Sequence, residues 1–250
     1  MSQVAPRRVG TVVWVDLTTT DVERSSRFYE RVLGWRHEST DTGMGTYVVA
    51  RVDAGEVGGM MAGDGRPRWT AVVGTDDMDA CVAAVPGLGG VVLEPPAPIP
   101  GGARLAVVAD PAGAALAVME SPLSDRGIVW GEPGGASWIE CLSSDPGASR
   151  SFLEALFGWK GGEGSGGYVV FSLDGERVGG LMATPLSVPA DSPSYWLVYF
   201  AVTDVAATCA AAAEAGGLVL EPAHDIEEGR FAVLEDPTGA VFAVYQSRTA

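Results

Sequence analysis

Hydrophobic and polar residues alternate over residues 11–17, which is the pattern of a strand with one buried face. The apolar spacing then becomes that of a helix, which begins at a capping box over residues 20–23 and ends at Gly34 as a left-handed cap. Further elements are predicted as strands at 47–52, 57–61 and 68–73, a helix after Asp76 towards Val85, and strands at 90–93, 104–109 and 115–120. This part of the chain therefore predicts two successive units, each made of a strand, a helix and several strands.

The chain repeats this pattern 124 positions later, with small changes of offset further along. The repeated motifs are Trp-Val-Asp at 14–16 with Trp-Ile-Glu at 138–140, Leu-Gly-Trp at 33–35 with Phe-Gly-Trp at 157–159, and Asp-Pro-x-Gly turns starting at 110 and 236. We therefore predict two homologous halves, residues 10–121 and 135–247. They are joined by a linker at 122–134 that is rich in Pro, Gly and Ser.

Composition and charge limit the classes of partner. Of 250 residues, 47% are apolar, so each half has enough apolar surface for its own core, and no run of apolar residues is long enough to span a membrane. The net charge of −16 argues against nucleic acid and anionic membranes, because phosphate binding needs clustered Lys and Arg. Three cysteines without an evident partner, and no signal-peptide pattern, predict a cytoplasmic protein; an oligomer is compatible with the sequence but not required.

The strand, the Asp-started helix with its Phe-Tyr-x-x-x-Leu-Gly-Trp ending and the late Asp-Pro-x-Gly strand pair carry a resemblance. They resemble the glyoxalase and bleomycin-resistance type of the vicinal oxygen chelate superfamily, and the whole chain is similar to the tandem glyoxalase-like proteins of actinobacteria. The resemblance implies an α+β fold of four βαβββ modules, in which pairs of modules curl into half-barrel clefts. It leaves the activity open, because that superfamily includes isomerases, dioxygenases, lyases, thiol transferases and drug-sequestering proteins.

In metal-dependent members of that superfamily, residues on the first and last strands of the modules hold a divalent ion. The first-strand ligand positions all fall here on tryptophan: Trp14, Trp69, Trp138 and Trp196. The carboxylate positions fall on glycine or apolar residues: Ala117 and Ala243, Gly59 or Met60, and Gly180 or Leu181. The two histidines, His37 and His224, do not correspond between the halves. We therefore expect no metal site and no cofactor.

Because strand side chains alternate between faces, a tryptophan at a ligand position should point into the cleft. Four such tryptophans would suit stacking against a planar aromatic ligand, and the alternative is that they fill the clefts as a hydrophobic core. Further candidates for lining the clefts are Met60 with its counterpart Leu181, and Met119 with its counterpart Tyr245.

Two pairs of charged residues also recur between the halves. Asp16 and Glu140 follow the first tryptophans on the same strand face, where each could anchor a cationic group, act as a general base, or only hydrogen-bond the backbone. Arg104 and Arg230 each lie six residues before the turn aspartate. They are predicted to hold a ligand oxyanion or to form a structural pair with Asp16 or Glu140 across the cleft.

The leading hypothesis is a metal-independent protein that binds an aromatic natural product, for sequestration or as an accessory in biosynthesis. A cofactorless isomerase, cyclase or hydrolase with Asp16 or Glu140 as base is the second hypothesis, and a metal-dependent glyoxalase is the third. The repeat leaves open whether modules of one half share a cleft, bringing Trp14 to Trp69, or modules of different halves do, bringing Trp14 to Trp196. It also leaves open whether both clefts are accessible.

Overall fold

The computed structural model describes residues 9–43, 45–121, 127–185, 188 and 193–248. The first half contains β1 (Val12–Thr19), α1 (Val22–Leu33), β2 (Arg36–Asp41), β3 (Thr46–Val52), β4 (Gly55–Ala62), β5 (Arg68–Thr75), α2 (Met78–Ala84), β6 (Val91–Ile99), β7 (Ala103–Ala109) and β8 (Ala115–Glu120). All follow the predicted order except β2. This strand was not predicted because nearly all of its residues are exposed and polar.

The second half repeats the same sequence of elements. It contains β9 (Ala136–Ser143), α3 (Pro146–Phe157), β10 (Lys160–Glu163), β11 (Val169–Leu173), β12 (Glu176–Ala183), β13 (Tyr195–Ala201), α4 (Val205–Glu214), β14 (Leu218–Asp225), β15 (Gly229–Glu235) and β16 (Val241–Ser247). The two halves are thus built from four βαβββ modules.

Each half forms its own mixed sheet, eight strands wide in the described residues. The strand order is β2-β3-β4-β1-β5-β8-β7-β6 in the first sheet and β10-β11-β12-β9-β13-β16-β15-β14 in the second. The modules of one half meet where β1 runs antiparallel to β5, and β9 meets β13 in the same way. Each cleft is therefore formed by the two modules of one half. Of the two module pairings that the sequence left open, the structure has the pairing within a half and not the one between halves.

Aspartate starts each α-helix in the described part of the chain. The side chain accepts a hydrogen bond from the N–H three residues further on, at Asp21, Asp77, Asp145 and Asp204. The capping box predicted Thr20 as the first cap, but Asp21 takes this role, with Oδ1 2.9 Å from the Arg24 nitrogen. Gly34 and Gly158 end α1 and α3 with φ of 71° and 70°, as predicted.

The main core lies between the two sheets, where α1 and α3 pack. Tyr29 of α1 contacts Trp69 of its own sheet and Phe242 of the other sheet, with ring centroids 5.4 Å apart in both cases. Two indoles also join the halves: Trp35 donates a 2.7 Å hydrogen bond to the Gly134 carbonyl, and Trp159 donates one of 2.6 Å to the Gly10 carbonyl. Each half therefore completes the core of the other.

The second part of the predicted linker packs against the first half. Ile128 and Val129 are buried, and the Val129 N–H donates to the Glu56 carbonyl over 2.8 Å. Residues 122–126 of the predicted linker lie outside the described residues. Among the helices that the structure describes, none has the length and apolar character needed to span a membrane.

Candidate functional site

The face of the first sheet that is turned away from the main core carries a separate apolar cluster. Its members are Val13, Val72, Ala103, Ala117 and Met119, with Trp14, Ile99, Leu105 and Val107 packed around them. Trp14 and Asp16 of β1 lie opposite Val72 and Thr70 of β5, and Val72 lies beside Ala117 of β8. These residues form the first cleft, with Val72 buried at its floor and Trp14 and Asp16 half-buried.

Three polar groups meet at one side of the first cleft. The Trp14 Nε1–H donates to Oδ1 of Asp16 over 3.0 Å and to the Tyr47 hydroxyl over 2.7 Å. The Tyr47 hydroxyl donates to the same Oδ1 over 2.5 Å. Burial raises the pKa of Asp16 to about 6, although both hydrogen bonds act in the opposite direction.

A glycine makes this contact between strands possible. Tyr47 belongs to β3, Asp16 belongs to β1, and β4 lies between them with Gly59 directly beside Asp16. A Cβ at Gly59 would overlap the Tyr47 hydroxyl, and it would lie only 2.7 Å from Oδ1 of Asp16. Glycine is therefore needed here so that the tyrosine can cross the strand.

The second cleft repeats the arrangement around Glu140. The Trp138 Nε1–H donates to the Tyr168 hydroxyl over 2.9 Å, and a Cβ at Gly180 would overlap that hydroxyl. The Tyr199 hydroxyl donates to Oε2 of Glu140 over 2.9 Å. Burial raises the pKa of Glu140, and the hydrogen bonds from Tyr168 and Tyr199 lower it.

The lining of the second cleft is more aromatic than that of the first. Leu142, Leu197, Tyr199 and Ala243 form the cluster, with Trp138, Met182, Tyr195, Phe231, Val233, Val241 and Tyr245 packed around it. The Tyr199 and Phe231 rings pack with centroids 5.8 Å apart. The two clefts therefore share their polar arrangement but differ in their lining.

The predicted orientation is confirmed for Trp14 and Trp138, and it is wrong for the other two tryptophans. Trp69 lies opposite Leu17 in the main core, 4% exposed, and donates to the Tyr29 hydroxyl over 2.9 Å. Trp196 is equally buried in the core and lies opposite Cys141. Successive side chains of a strand point to opposite faces, so an error of one residue in aligning the modules reverses the predicted face. The alignment that led to Trp69 and Trp196 was wrong by one residue.

The helix caps give the correct correspondence. Trp14 lies seven residues before the capping Asp21, and the residue seven before the capping Asp77 is Thr70. The same count from Asp204 leads to Leu197, the counterpart of Trp138. Thr70 and Leu197 face the clefts, because they lie opposite Asp16 and Glu140.

Four other candidates also lie on the core or helix side of the sheets. Met60 and its counterpart Leu181 are fully buried in the main core, where they lie beside Leu17 and Cys141. The predicted pairing of Arg104 with Asp16 or Glu140 across the cleft is wrong, because Arg104 pairs with Asp79 of α2 over 2.6 Å and with Glu120 over 3.4 Å.

Arg230, the second predicted arginine, also lies outside its cleft. Arg230 is exposed and lies opposite Gln246, whose side-chain oxygen accepts the N–H of Val205 at the start of α4. Met119 and Tyr245 do face the clefts, as predicted, and the Tyr245 hydroxyl donates to the Glu228 carbonyl over 2.8 Å.

Sequence reasoning missed the tyrosines that reach the two carboxylates. Tyr47 and Tyr168 each precede two valines in equivalent places, and each stands before a repeated Gly-Gly pair on the next strand. This recurrence was a usable signal. Tyr199 had no such signal, because its counterpart in the first half is Val72.

The comparisons with known proteins agree with the two-half architecture. Residues 12–119 match the glyoxalase-like domain, and residues 135–244 match the glyoxalase/bleomycin resistance protein/dioxygenase superfamily. The chain belongs to this superfamily and carries two of its domains in tandem.

Two relatives match over nearly their whole length. The chain is 36% identical to the putative glyoxylase CFP32 of Mycobacterium tuberculosis over 250 residues, which cover 95% of both chains. It is 34% identical to the anthracycline biosynthesis protein DnrV of Streptomyces peucetius over 269 residues, covering 99% of this chain and 96% of the relative.

Solved structures share the fold at low sequence identity. The Mn(II)-bound glyoxalase from Novosphingobium aromaticivorans aligns with a TM-score of 0.69 and 17% identity, covering 96% of this chain and 82% of the other. The 2,2',3-trihydroxybiphenyl 1,2-dioxygenase from Sphingomonas wittichii aligns with a TM-score of 0.66 and 14% identity, covering 96% and 91%.

The residues of the clefts do not fit the divalent metal that the superfamily implies. The corrected ligand positions hold no metal-binding set: Trp14, Gly59, Thr70 and Ala117 in the first cleft, and Trp138, Gly180, Leu197 and Ala243 in the second. Tyrosine hydroxyls fill the space that a side chain at Gly59 or Gly180 would need. Within the described residues, no three His, Cys, Asp or Glu side chains cluster in a way that could hold a metal ion.

Proposed function

We propose that this protein binds a planar aromatic small molecule without a metal, as an accessory protein in natural-product biosynthesis or as a sequestering protein. The observation that carries this proposal is the cluster of Trp14, Tyr47 and Asp16 at the side of an apolar cleft. Aromatic rings offer flat stacking surfaces, and a single polar group in an apolar site orients the ligand.

The charge state of Asp16 determines which ligands it favours. Both of its hydrogen bonds from Trp14 and Tyr47 end on Oδ1, so Oδ2 is the oxygen that we assign to the ligand. With a pKa of about 6, the carboxyl group is mostly ionised at neutral pH and accepts hydrogen bonds from neutral or cationic donors.

Two relatives support the biosynthetic context. DnrV and its counterpart DauV of a Streptomyces strain, which is 32% identical over 271 residues, are named anthracycline biosynthesis proteins. Anthracyclines are flat, polycyclic aromatic compounds, so a ligand of this shape would suit the lining of the clefts.

A second candidate function is a cofactorless isomerase, cyclase or hydrolase on a similar ligand. One observation favours it: burial brings the pKa of Asp16 to about 6, which is close to the value that suits a general base at neutral pH. A metal-dependent glyoxalase is not proposed, because the cleft residues do not fit the ion that stabilises the enediolate in that chemistry.

Nucleic acid and membranes are not among the proposed partners, because the net charge of −16 would repel both. A second copy of the chain is not required, because each cleft is formed by strands of one half. We propose a cytoplasmic location, in keeping with the three free thiols.

A tryptophan-fluorescence titration tests the proposal. Protein treated with chelator is titrated with planar aromatic compounds, both neutral and cationic, and saturable quenching at micromolar ligand is expected. Trp14→Ala should abolish or strongly weaken the quenching if the first cleft binds, and Trp138→Ala should do so if the second cleft binds. Trp69→Phe is the matched control, because that indole lies in the main core.

The two candidate functions give different results with Asp16→Asn. In a binding protein the variant should bind more weakly but still measurably, because the Asn oxygen accepts a hydrogen bond without the charge. In an enzyme the variant should still bind the ligand and lose turnover. Absence of saturable binding by every compound of the panel would contradict the proposed function.

A further inference from the structure

Three of the equivalent cleft-facing positions that differ between the two clefts carry an aromatic ring in the second cleft only. Where the first cleft has Val72, Leu105 and Met119, the second has Tyr199, Phe231 and Tyr245. The backbone environment is the same in each case: Val72 pairs with Trp14 and Ala117, and Tyr199 pairs with Trp138 and Ala243. The second cleft thus has an aromatic ring at each of these three positions, and Tyr195, where the first half has Arg68, adds a fourth.

Tyr199 behaves in the second cleft as a bound phenol would. Its ring packs on Phe231, and its hydroxyl donates to the carboxylate of Glu140 over 2.9 Å. In the first cleft, Val72 is too short to reach the equivalent Asp16. The carboxylate of Asp16 is also one methylene shorter than that of Glu140, which increases the space between the two positions.

We propose, building on the proposed function, that only the first cleft takes a ligand and that this ligand is a hydroxylated aromatic molecule whose hydroxyl donates to Asp16. The second cleft is occupied by its own Tyr199. The ligand ring contacts Trp14 and Leu105, which are half-buried residues of the first cleft.

The chemistry of the first cleft agrees with a neutral phenol. Val72, Ala117 and Leu105 of the first cleft are aliphatic, so this lining favours an uncharged ring. A hydroxyl that donates to an ionised carboxylate makes a charge-assisted hydrogen bond, which is stronger than a neutral one. An anionic ligand is disfavoured by the same carboxylate and by the net charge of −16.

Isothermal titration calorimetry with 2-naphthol and its methyl ether, 2-methoxynaphthalene, tests the proposal. The wild-type chain should bind one 2-naphthol molecule. It should bind the ether about tenfold more weakly or worse, because a hydrogen bond to a charged group is lost. Equal affinity for the two compounds, or no binding of 2-naphthol, would overturn the assignment of a phenol.

Two reciprocal variants test which cleft binds. Val72→Tyr should place a phenol beside Asp16 and abolish binding, and Tyr199→Val should keep the first site and gain a second. Two sites in the wild-type chain, full binding by Val72→Tyr, or a Tyr199→Val variant without a second site would each contradict the proposal.

A measurement on the wild-type chain tests the proposal even if the variants do not fold. Val107 and Val233 face the two clefts at equivalent positions, opposite Ala117 and Ala243. In methyl-labelled protein, 2-naphthol should shift the Val107 methyl signals and leave those of Val233 unchanged, and the reverse result would overturn the proposal. If other aromatic compounds bind but these results fail, the proposed function stands without this inference; if nothing binds, both fail.

Discussion

The hydroxyl of Tyr47 lies 2.5 Å from Oδ1 of Asp16, although the two residues belong to strands that are not neighbours. The intervening strand contributes Gly59, over which the tyrosine passes. This contact occupies the space of a side chain at Gly59, which is a carboxylate position that the resemblance to metal-dependent members implies. It gives the cleft a single carboxyl group with a raised pKa in an apolar surrounding.

Tyr47→Phe should raise the pKa of Asp16 above its value of about 6, because the hydrogen bond from Tyr47 stabilises the ionised carboxylate. The measurement is a carboxyl-carbon NMR titration. Tyr245→Phe is the control, since the Tyr245 hydroxyl donates to a backbone carbonyl in the other cleft. A pKa that falls, or that moves equally in the control, would contradict the assigned hydrogen bond.

Gly59→Ala should destabilise the protein by about 1–3 kcal/mol, because the new methyl group would displace the Tyr47 side chain. Urea unfolding measures the difference. Gly147→Ala serves as the control: it lies in the first turn of α3, where a Cβ would meet only Asp145 at 3.5 Å, and it should be neutral or stabilising. Equal effects of both changes would refute the role of Gly59.

Trp69→Ala should cost about 3–5 kcal/mol of unfolding free energy, because it removes a buried indole from the core between the sheets. Trp14→Ala should cost less, because that indole is half-buried in the cleft. Urea unfolding of both variants tests the order. A larger loss for Trp14→Ala would mean that the cleft face, rather than the face between the sheets, holds the main core.

The stability of the protein should depend on the ionisation of Asp16. The folded-state pKa of about 6 lies above the usual 3.8, so between these values the folded state binds more protons and stability falls as pH rises. Asp16→Asn removes this fall and should stabilise the protein by about 1–3 kcal/mol at pH near 7.5, with no gain below pH near 4.

Urea unfolding at the two pH values measures this gain, with the exposed Glu163→Gln as a control for the change in net charge. A stability gain from Asp16→Asn that is the same at both pH values would not come from the buried carboxyl group.

Removal of divalent metal should leave folding unchanged. A ligand that binds only the folded state raises the thermal midpoint, so added Mn, Zn or Ni should not raise it in this protein. The measurement is a thermal unfolding scan with chelator and with each metal. A metal-dependent increase in midpoint would contradict the conclusion that the cleft residues do not fit an ion.

The element order and the repeat were predictable from local signals. The aspartate caps and the helix-ending glycines act within one turn of the chain, so their effect can be seen in the sequence. The orientation of Trp69 was not predictable in this way. The strand Arg68–Thr75 carries apolar residues on both faces, so alternation did not reveal which face its tryptophan occupies.

The polar cluster depended on information that a single strand does not contain. Tyr47 and Asp16 meet only when β3, β4 and β1 are aligned in register, and that register is set by the whole sheet. The position of Arg104 likewise depended on where α2 brings Asp79. The repeat can therefore identify such residues as candidates for the site. It cannot predict which partners their side chains contact, because distant strands and helices set those contacts.

The crossed packing of the halves has a consequence for how the protein could have changed over time. Phe28 packs beside Gly217 and Phe152 beside the equivalent Gly90, so the two halves meet as the identical subunits of a twofold dimer do. In such a dimer, every mutation alters both sites at once. Once the two copies are fused in one gene, a valine can stay at position 72 while a tyrosine stands at 199. Fusion therefore allows one half to specialise as scaffold while the other keeps its cleft.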